Sequence, residues 1–232
     1  MDGHVIYCIP FAGGTKNIFI PLKNYVIDKL IIKPLELPGH GARFTDTLES
    51  EIEGMAEDIT NQIMEHGYTE YSILGYSLGA IILYETYYKL KERGFSMPCS
   101  LIICAQEPIG YYDKNKKIEN MDDFNFKNYI KSKGGTSDEV LYNEELWNIV
   151  SPILKNDFIA IDKYRNKQKS EKCKCPIYVF NGESDNISKE VLSKWSDITI
   201  NDVYYKFFKG SHFFLFDNYK NIANELNDMF DK

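Results

Sequence analysis

Short apolar runs alternate along this chain with longer amphipathic segments. Runs such as YSILGY and PIYVFNG have the length of strands and are rich in β-branched and aromatic residues. The segments between them, including SEIEGMAEDITNQIMEH and LGAIILYETYYKLKER, repeat their apolar residues at helical spacing. Strands that alternate with helices are typical of a mostly parallel sheet that helices cover on both faces. This pattern predicts the α/β fold class.

The alternation is interrupted in a segment from about residue 107 to residue 160. This segment is predicted to form two or three helices without a strand, divided at Gly134 and Gly135. A helical insertion of this kind can serve as a lid over a site. Since 232 residues of 44% hydrophobic composition can bury one sizeable core, we expect a single domain over residues 1–232 that carries this lid.

The sequence GYSLGA, residues 75–80, lies where a predicted strand ends and a predicted helix begins. A Gly-x-Ser-x-Gly motif at such a junction forms a sharp, strained turn that exposes the serine hydroxyl at the edge of the sheet. Glycines suit the flanking positions because side chains would crowd the turn. Gly75, Ser77 and Gly79 match this pattern, which makes Ser77 the candidate nucleophile.

A serine hydroxyl is a poor nucleophile until a base removes its proton, so a histidine and an orienting carboxylate are expected downstream. His212 follows the strand-like run VYYKFF, in the last connection between a strand and a helix. Asp185 comes just after PIYVFNG, with Glu183 as its nearby rival. The order Ser77, Asp185, His212 is that of the α/β-hydrolase fold, and these residues are the predicted catalytic triad.

The remaining candidates for base and acid fit these roles less well. Three histidines are interpreted as surface or structural residues: His4, His40 and His66. Three aspartates are poorer placements for the acid: Asp157, Asp202 and Asp217.

A tetrahedral intermediate also needs hydrogen-bond donors for its negative oxygen. The backbone N–H of Leu78, directly after the nucleophile, is one predicted donor. The second is expected from the loop IPFAGG, which follows the first strand; Phe11 or Ala12 would supply the amide, and Ala12 is favoured. The glycines of this loop would let it approach the site closely.

Charge and composition exclude several classes of partner. A formal net charge of −7 argues against nucleic acid, which requires a basic face. The N-terminus lacks the features of a signal peptide and no apolar run approaches the length of a membrane span, so a cytoplasmic protein without membrane contact is expected. The five cysteines are interpreted as reduced. Cys173 and Cys175 have no histidine or further cysteine nearby, so no metal site is expected.

On these motifs the chain resembles the type II, or external, thioesterases of nonribosomal peptide and polyketide synthases, over nearly its whole length. IPFAGG resembles the FPxAGG start of that family, LGYSLGA its GHSMGG/A elbow, and KGSHFFL its GGHFFL histidine loop. PIYVFNGESD, LELPGHGARF and NDFIAIDKY are similar to its acid-bearing strand, its LPGRGxR-like loop and the segment that closes its lid. Tyr76 and Ser211 depart from the family pattern, which has histidine and glycine there, and are expected to reshape the mouth of the pocket.

The resemblance implies hydrolysis of acyl groups from the phosphopantetheine thiol of a carrier protein, which clears stalled or wrongly primed synthases. It implies an acyl or peptidyl carrier protein as partner, a monomer, and no cofactor beyond the partner's phosphopantetheine. The insertion would cover an acyl pocket, with apolar faces from FNFKNYI and LWNIVSPIL. The basic stretch from Lys163 to Lys174 is either a solvated linker or a docking surface for an acidic carrier.

The residues alone leave two other functions open. A general carboxylesterase or lipase would use the same triad on oxygen esters. A non-catalytic module of the hydrolase fold would bind acyl carriers without any need for all three triad residues.

Overall fold

The computed structural model describes residues 3–111, 118–164 and 167–230. Six strands form its central sheet: β1 (His4–Ile9), β2 (Leu30–Pro34), β3 (Tyr71–Tyr76), β4 (Leu101–Cys104), β5 (Ile177–Gly182) and β6 (Val203–Phe208). They pair in the order β2-β1-β3-β4-β5-β6, and every neighbouring pair is parallel. The predicted α/β fold class is confirmed.

Seven α-helices accompany the sheet in the described part of the chain: α1 (Ile52–His66), α2 (Leu78–Glu92), α3 (Asp123–Lys133), α4 (Asp138–Tyr142), α5 (Glu144–Tyr164), α6 (Lys189–Ser193) and α7 (Tyr219–Phe230). Alternate residues of β1 face opposite sides of the sheet, as strand geometry requires. Tyr7 packs in the hydrophobic cluster that includes α1 and α2. Ile6 packs in the cluster on the other face, which includes α7. Both faces of the sheet are therefore buried.

The order of the strands places a crevice at one edge of the sheet. The chain adds β2 on one side of β1 and then β3 on the other side, so the connections after β1 and β3 diverge. In open α/β sheets, ligands bind at such a switch point, beyond the carboxyl ends of the strands. The loop after β1 contains the predicted oxyanion donor, and the turn after β3 contains the predicted nucleophile. Both segments lie at this crevice.

The described part of the predicted insertion, residues 107–111 and 118–160, contains α3, α4 and most of α5, and no strand. Helix α3 ends with Gly134 as its C-cap, at the predicted division. The insertion has a small hydrophobic cluster of its own, made by Ile118, Phe126, Ile130, Leu141, Trp147 and Leu154. Residues 112–117 of the predicted insertion lie outside the described residues, and its role as a lid stays a prediction.

The start of α1 differs from what the sequence suggests. Ser50 and Glu53 have the spacing of a capping box, but Glu51 is the N-cap residue and makes no side-chain capping bond. The Glu51 N–H donates to Glu49 Oε1 at 3.0 Å, and the Glu53 carboxylate forms an ion pair with Lys167. The spacing of Ser50 and Glu53 therefore does not produce a capping box, because the helix begins one residue too late and Glu53 is engaged by a distant part of the chain.

The basic stretch is held against α1 and α2. Two of its lysines form ion pairs with these helices, Lys167 with Glu53 and Lys169 with Glu85, and Lys163 forms one with Glu51, the N-cap residue of α1. The Glu85 side chain is almost completely buried, so the charge of Lys169 neutralises a carboxylate inside the fold. These contacts favour the linker interpretation. Arg165 and Asn166 of the stretch lie outside the described residues, and carrier docking by this segment stays a prediction.

Candidate active site

Ser77 occupies a strained turn between β3 and α2. Its backbone has φ +52° and ψ −114°, in a region that non-glycine residues rarely adopt. A Cβ atom at Gly75 would lie 2.3 Å from the carbonyl oxygen of Gly79, and a Cβ at Gly79 would lie 2.1 Å from that of Ile9. Only glycine fits at either position. The turn is therefore packed directly against the end of β1, with the serine side chain at the crevice.

The three predicted triad residues lie within hydrogen-bond distance of one another. His212 Nε2 is 3.1 Å from Ser77 Oγ, and His212 Nδ1 is 3.0 Å from Asp185 Oδ2. The Asp185 side chain is buried, so its carboxylate holds the proton of the ring on Nδ1 and leaves Nε2 free to accept the serine proton. Glu183 is exposed, and the described residues include no hydrogen bond between it and His212. The geometry favours Asp185 over its rival.

Tyr76 supports the histidine loop from below. Its hydroxyl donates to the backbone carbonyl of His212 at 2.6 Å and accepts the N–H of Leu215 at 3.4 Å. Burial raises the pKa of Tyr76, so this hydroxyl keeps its proton as a donor. The ring is fully buried and does not line the cavity above Ser77. The expectation that Tyr76 shapes the mouth of the pocket is wrong, because its side chain points under the loop.

The two predicted oxyanion donors have amides available for a ligand. Within the described part of the chain, no acceptor bonds the N–H of Leu78 or that of Ala12. The N–H of Gly13 is taken by Asp157 at 2.8 Å. Phe11 and Ala12 both border the cavity with Ser77, so the geometry is compatible with either amide. The assignment to Ala12 and Leu78 stays a prediction.

A cavity of about 540 Å³ lies over Ser77. Ser77, Asp185 and His212 form its polar floor. Apolar side chains form much of its wall: Tyr129, Val140, Val150, Leu154, Phe158 and Ile187. Polar and charged residues complete the lining: Gln106, Glu107, Ser132, Lys133, Thr136, Ser137, Asp162 and Asn186. A site with reactive polar groups beside an apolar part of its wall fits a substrate with a reactive carbonyl and an apolar tail.

The two segments predicted to face the cavity do so only in part. Tyr129 comes from FNFKNYI, and Val150 comes from LWNIVSPIL. Phe126 and Trp147 from the same segments pack into the insertion's own cluster instead. In each helix, some apolar residues line the cavity and others pack into the cluster. Helical spacing alone does not show which residues do which.

A buried ion pair adjoins the oxyanion loop. Asp157 of α5 is completely buried, and its Oδ2 accepts both the Gly13 N–H and His40 Nε2, the latter at 3.0 Å. His40 Nδ1 lies 2.9 Å from the Pro38 carbonyl oxygen. Both ring nitrogens thus face acceptors, an arrangement that favours a proton on each and therefore the imidazolium form of the ring. Burial opposes this charge, but Asp157, the Pro38 carbonyl and Glu36 raise the pKa of His40 above its ordinary value.

The sequence alone does not indicate that His40 and Asp157 meet. His40 was expected to be a surface or structural residue, and it is buried; Asp157 was weighed as a triad acid, and it contacts His40 rather than His212. The sequence does contain one indication that Asp157 is buried. Asp157 lies three positions from Leu154 and from Ala160, both of which are buried, so it occupies the apolar face of its helix. A charged residue at such a position indicates a buried partner.

The His40–Asp157 pair makes stability depend on pH. The pKa of His40 is raised in the folded protein. The contribution of this residue to the free energy of unfolding is therefore fully present below the ordinary pKa of histidine, and it is lost as the pH rises through the raised pKa. We therefore expect the unfolding free energy of the wild type, measured relative to His40→Gln, to decrease as the pH rises above 6.5, the ordinary pKa of histidine. Urea unfolding of both proteins at a series of pH values measures the difference. A difference that stays constant would show that folding does not change the pKa of His40, and a difference that increases with pH would show that the pair lowers it.

The described residues contain no group of three or more His, Cys, Asp or Glu side chains that could hold a metal ion. Cys173 and Cys175 are buried, and the Thr199 hydroxyl lies within hydrogen-bond distance of the backbone carbonyls of both. In the same part of the chain, no helix is long and apolar enough to cross a membrane.

The chain is similar to known proteins over nearly its whole length. The thioesterase domain family matches residues 4–230. The gramicidin S biosynthesis protein GrsT of Aneurinibacillus migulanus is 25% identical over 214 residues, which cover 92% of this chain and 83% of GrsT. ClbQ from the colibactin NRPS/PKS pathway superimposes with a TM-score of 0.92 at 27% identity, over 99% of this chain and 97% of ClbQ. For RedJ, a thioesterase of prodiginine biosynthesis in Streptomyces coelicolor, the TM-score is 0.88 at 25% identity, over 97% of this chain and 84% of RedJ.

Proposed function

The chain belongs to the thioesterase domain family, and from this membership we propose that it hydrolyses acyl thioesters on the phosphopantetheine arm of carrier proteins. We propose Ser77, His212 and Asp185 as its catalytic triad. The observation that carries the proposal is the continuous hydrogen-bonded series from Ser77 Oγ through the His212 ring to Asp185, in a cavity whose wall is partly apolar.

The first half of the reaction transfers the acyl group to the serine. His212 Nε2 removes the proton of the Ser77 hydroxyl as Oγ attacks the thioester carbonyl carbon. The tetrahedral intermediate then collapses, the carbon–sulfur bond breaks, and the departing thiolate takes the proton from Nε2. Asp185 stabilises the imidazolium that exists between these steps. The products are an acyl-serine ester and the free phosphopantetheine thiol.

The second half returns the enzyme to its starting state. Water enters the site of the departed thiol, and His212 removes one of its protons as the oxygen attacks the acyl-serine carbonyl. The second intermediate collapses when Nε2–H protonates Ser77 Oγ, and the carboxylic acid is released. In both halves the N–H groups of Ala12 and Leu78 bind the negative oxygen, a contribution that is worth about 10²- to 10³-fold per donor in serine hydrolases.

The relatives support a carrier protein as the partner. GrsT is named for gramicidin S biosynthesis, and ClbQ comes from a pathway of nonribosomal peptide and polyketide synthases, whose intermediates are carrier-bound thioesters. We propose the same class of substrate here, with the removal of stalled or wrong acyl groups as the biological role. The phosphopantetheine is supplied by the partner, the chemistry uses side chains of this chain alone, and we propose that the protein acts as a monomer.

A direct comparison of substrates tests the proposal. Acetyl and longer acyl groups are loaded onto a phosphopantetheinyl carrier protein, and their release is measured beside the matching free thioesters and oxygen esters. We expect kcat/KM to be highest for the carrier-bound thioesters, because the carrier adds contacts that a small thioester lacks. The release should be lost in Ser77→Ala.

Two outcomes would contradict this function. A preference for free oxygen esters over every thioester would place the protein among general esterases that use the same triad. The absence of Ser77 labelling by a fluorophosphonate probe would indicate a non-catalytic module that binds carriers.

A further inference from the structure

The oxyanion loop is held from outside by one side chain of α5. We propose that Asp157 is a positioning residue, whose carboxylate binds the Gly13 N–H and thereby orients the neighbouring Ala12 N–H toward the reacting carbonyl oxygen. The proposal rests on the proposed function, since the orientation of Ala12 matters to turnover only if Ser77 forms a tetrahedral intermediate.

The two amides are coupled through a short length of backbone. The N–H groups of Ala12 and Gly13 are consecutive, so only the φ and ψ angles of Ala12 separate their directions. The Gly14 N–H donates to the Phe11 carbonyl at 2.8 Å and closes the loop into a turn. The bond from Gly13 to Asp157, also 2.8 Å long, ties this turn to α5. A loss of that bond frees the peptide next to the proposed donor.

Packing on the same helix face limits the loop further. Gly13 has φ +71°, and a Cβ atom there would lie 2.5 Å from Leu154 Cδ2. Leu154 and Asp157 are three positions apart on α5, so they lie on one face and contact the loop together. Leu154 prevents the loop from moving toward the helix, and Asp157 prevents it from moving away. These two contacts with α5 thus restrict the backbone conformation at Gly13.

The charge of Asp157 is balanced before substrate arrives. An unpaired buried carboxylate beside a developing oxyanion would oppose catalysis and would be costly to bury. His40 Nε2 lies 3.0 Å from Asp157 Oδ2, and the acceptors at both ring nitrogens favour the protonated ring, which supplies the compensating positive charge. Glu36, the other acidic group near His40, is engaged by the backbone N–H groups of Lys16 and Ala42. The pair can therefore orient Gly13 without adding net charge to the site.

Helix α5 consequently contacts both the cavity and the oxyanion loop. The cavity wall includes Leu154 and Phe158 of α5, and Asp157 lies between them in the chain. An acyl tail that packs on this wall contacts the element that orients the oxyanion donor. Asp157 provides the physical connection between the insertion and the reacting atoms.

Kinetics of Asp157 variants test the proposal on the free hexanoyl thioester of pantetheine, which removes carrier binding from the measurement. We expect Asp157→Ala to lower kcat by about 10- to 100-fold with little change in KM, since full loss of an oxyanion donor costs about 10²- to 10³-fold. Asp157→Asn keeps an oxygen that can accept the Gly13 N–H, so it should recover most of the lost kcat. Tyr164→Phe is the matched control. It removes another buried hydrogen bond of α5, to Glu85 at 2.5 Å, and should leave kcat unchanged.

A second readout separates positioning from a merely structural role. Hexylboronic acid forms a tetrahedral adduct with an active serine, whereas the thioether analogue of the substrate occupies the cavity without an oxyanion. The affinity for the boronic acid should fall in Asp157→Ala by the same factor as kcat/KM, and the affinity for the thioether should not. If Asp157→Ala does not fold, the affinities of Asp157→Asn for the same two ligands test the proposal. We then expect a smaller loss of affinity for the boronic acid and no change in affinity for the thioether.

The proposal is overturned if the Asp157 variants lose thermal stability or gain KM while kcat and boronic acid affinity stay at wild-type values. Asp157 would then only fasten α5. A failure of the proposed function looks different, because the wild type itself would show no Ser77-dependent hydrolysis and no Ser77-dependent binding of the boronic acid.

Discussion

Ser77→Ala is expected to lower kcat for acyl thioester hydrolysis by about 10⁶-fold, which is the cost of removing the nucleophile from a serine hydrolase of this design. The substitution removes the atom that attacks the carbonyl and leaves His212 without a proton to accept. The fold should survive, because alanine is smaller than serine and the strained turn depends on Gly75 and Gly79. What little hydrolysis remains would come from the oxyanion donors and substrate binding alone.

Release of thiol from an acyl-loaded carrier protein measures this effect, with thermal unfolding to establish that the variant folds. Ser184→Ala is a suitable control, since Ser184 is exposed and does not line the cavity. A fluorophosphonate should label the wild type and Ser184→Ala on Ser77 and leave Ser77→Ala unlabelled. Residual activity of Ser77→Ala within tenfold of the wild type would show that the thioester is attacked by another group.

Asp185→Asn is expected to lower kcat by about 10³- to 10⁴-fold, the second largest effect. The Asp185 carboxylate accepts the Nδ1 proton of His212 at 3.0 Å and holds the ring with Nε2 toward Ser77. An asparagine can turn its NH₂ group toward Nδ1, which favours the tautomer whose Nε2 carries the proton and is unable to act as a base. The effect should fall on kcat rather than KM, because Asp185 acts on the step of proton transfer.

Glu183→Gln is the matched control for this prediction. Glu183 is two residues away, carries the same charge and is exposed. Steady-state kinetics of the two variants should show near wild-type turnover for Glu183→Gln and the large loss for Asp185→Asn. The reverse pattern would assign the orienting role to Glu183 and would require the loop after β5 to rearrange in solution.

The strands, the turn at Ser77 and the order of the proposed triad could be predicted from the sequence for a physical reason. Strands alternate with helices, so the carboxyl ends of all six parallel strands meet at one edge of the sheet. Polar residues directly after separate strands are thereby brought together, although Ser77 and His212 are 135 positions apart in the chain. The local requirement for glycine at two crowded positions made the turn itself recognisable.

Side chains with two possible partners were harder to place. Glu53 has the spacing to cap α1, yet in the structure its carboxylate forms an ion pair with Lys167, 114 positions away. Tyr76 stands beside the nucleophile, yet its hydroxyl supports the backbone of His212 from beneath the loop. Local spacing describes which contacts a side chain can make within its own element, and the packing of elements decides which contact it makes.

The sequence alone was enough to establish the class of fold, the candidate nucleophile and the residues expected to activate it, because those features follow from strand order and short-range motifs. The pairing of His40 with Asp157, 117 positions apart, and the bond from Asp157 to Gly13 were decided by tertiary structure. Three separate segments meet there, and neither their motifs nor the position of Asp157 on the apolar face of α5 shows that these residues contact one another. Only the packing of α5 against the loop after β1 brings a buried charge, its counter-charge and the backbone of the oxyanion loop into contact.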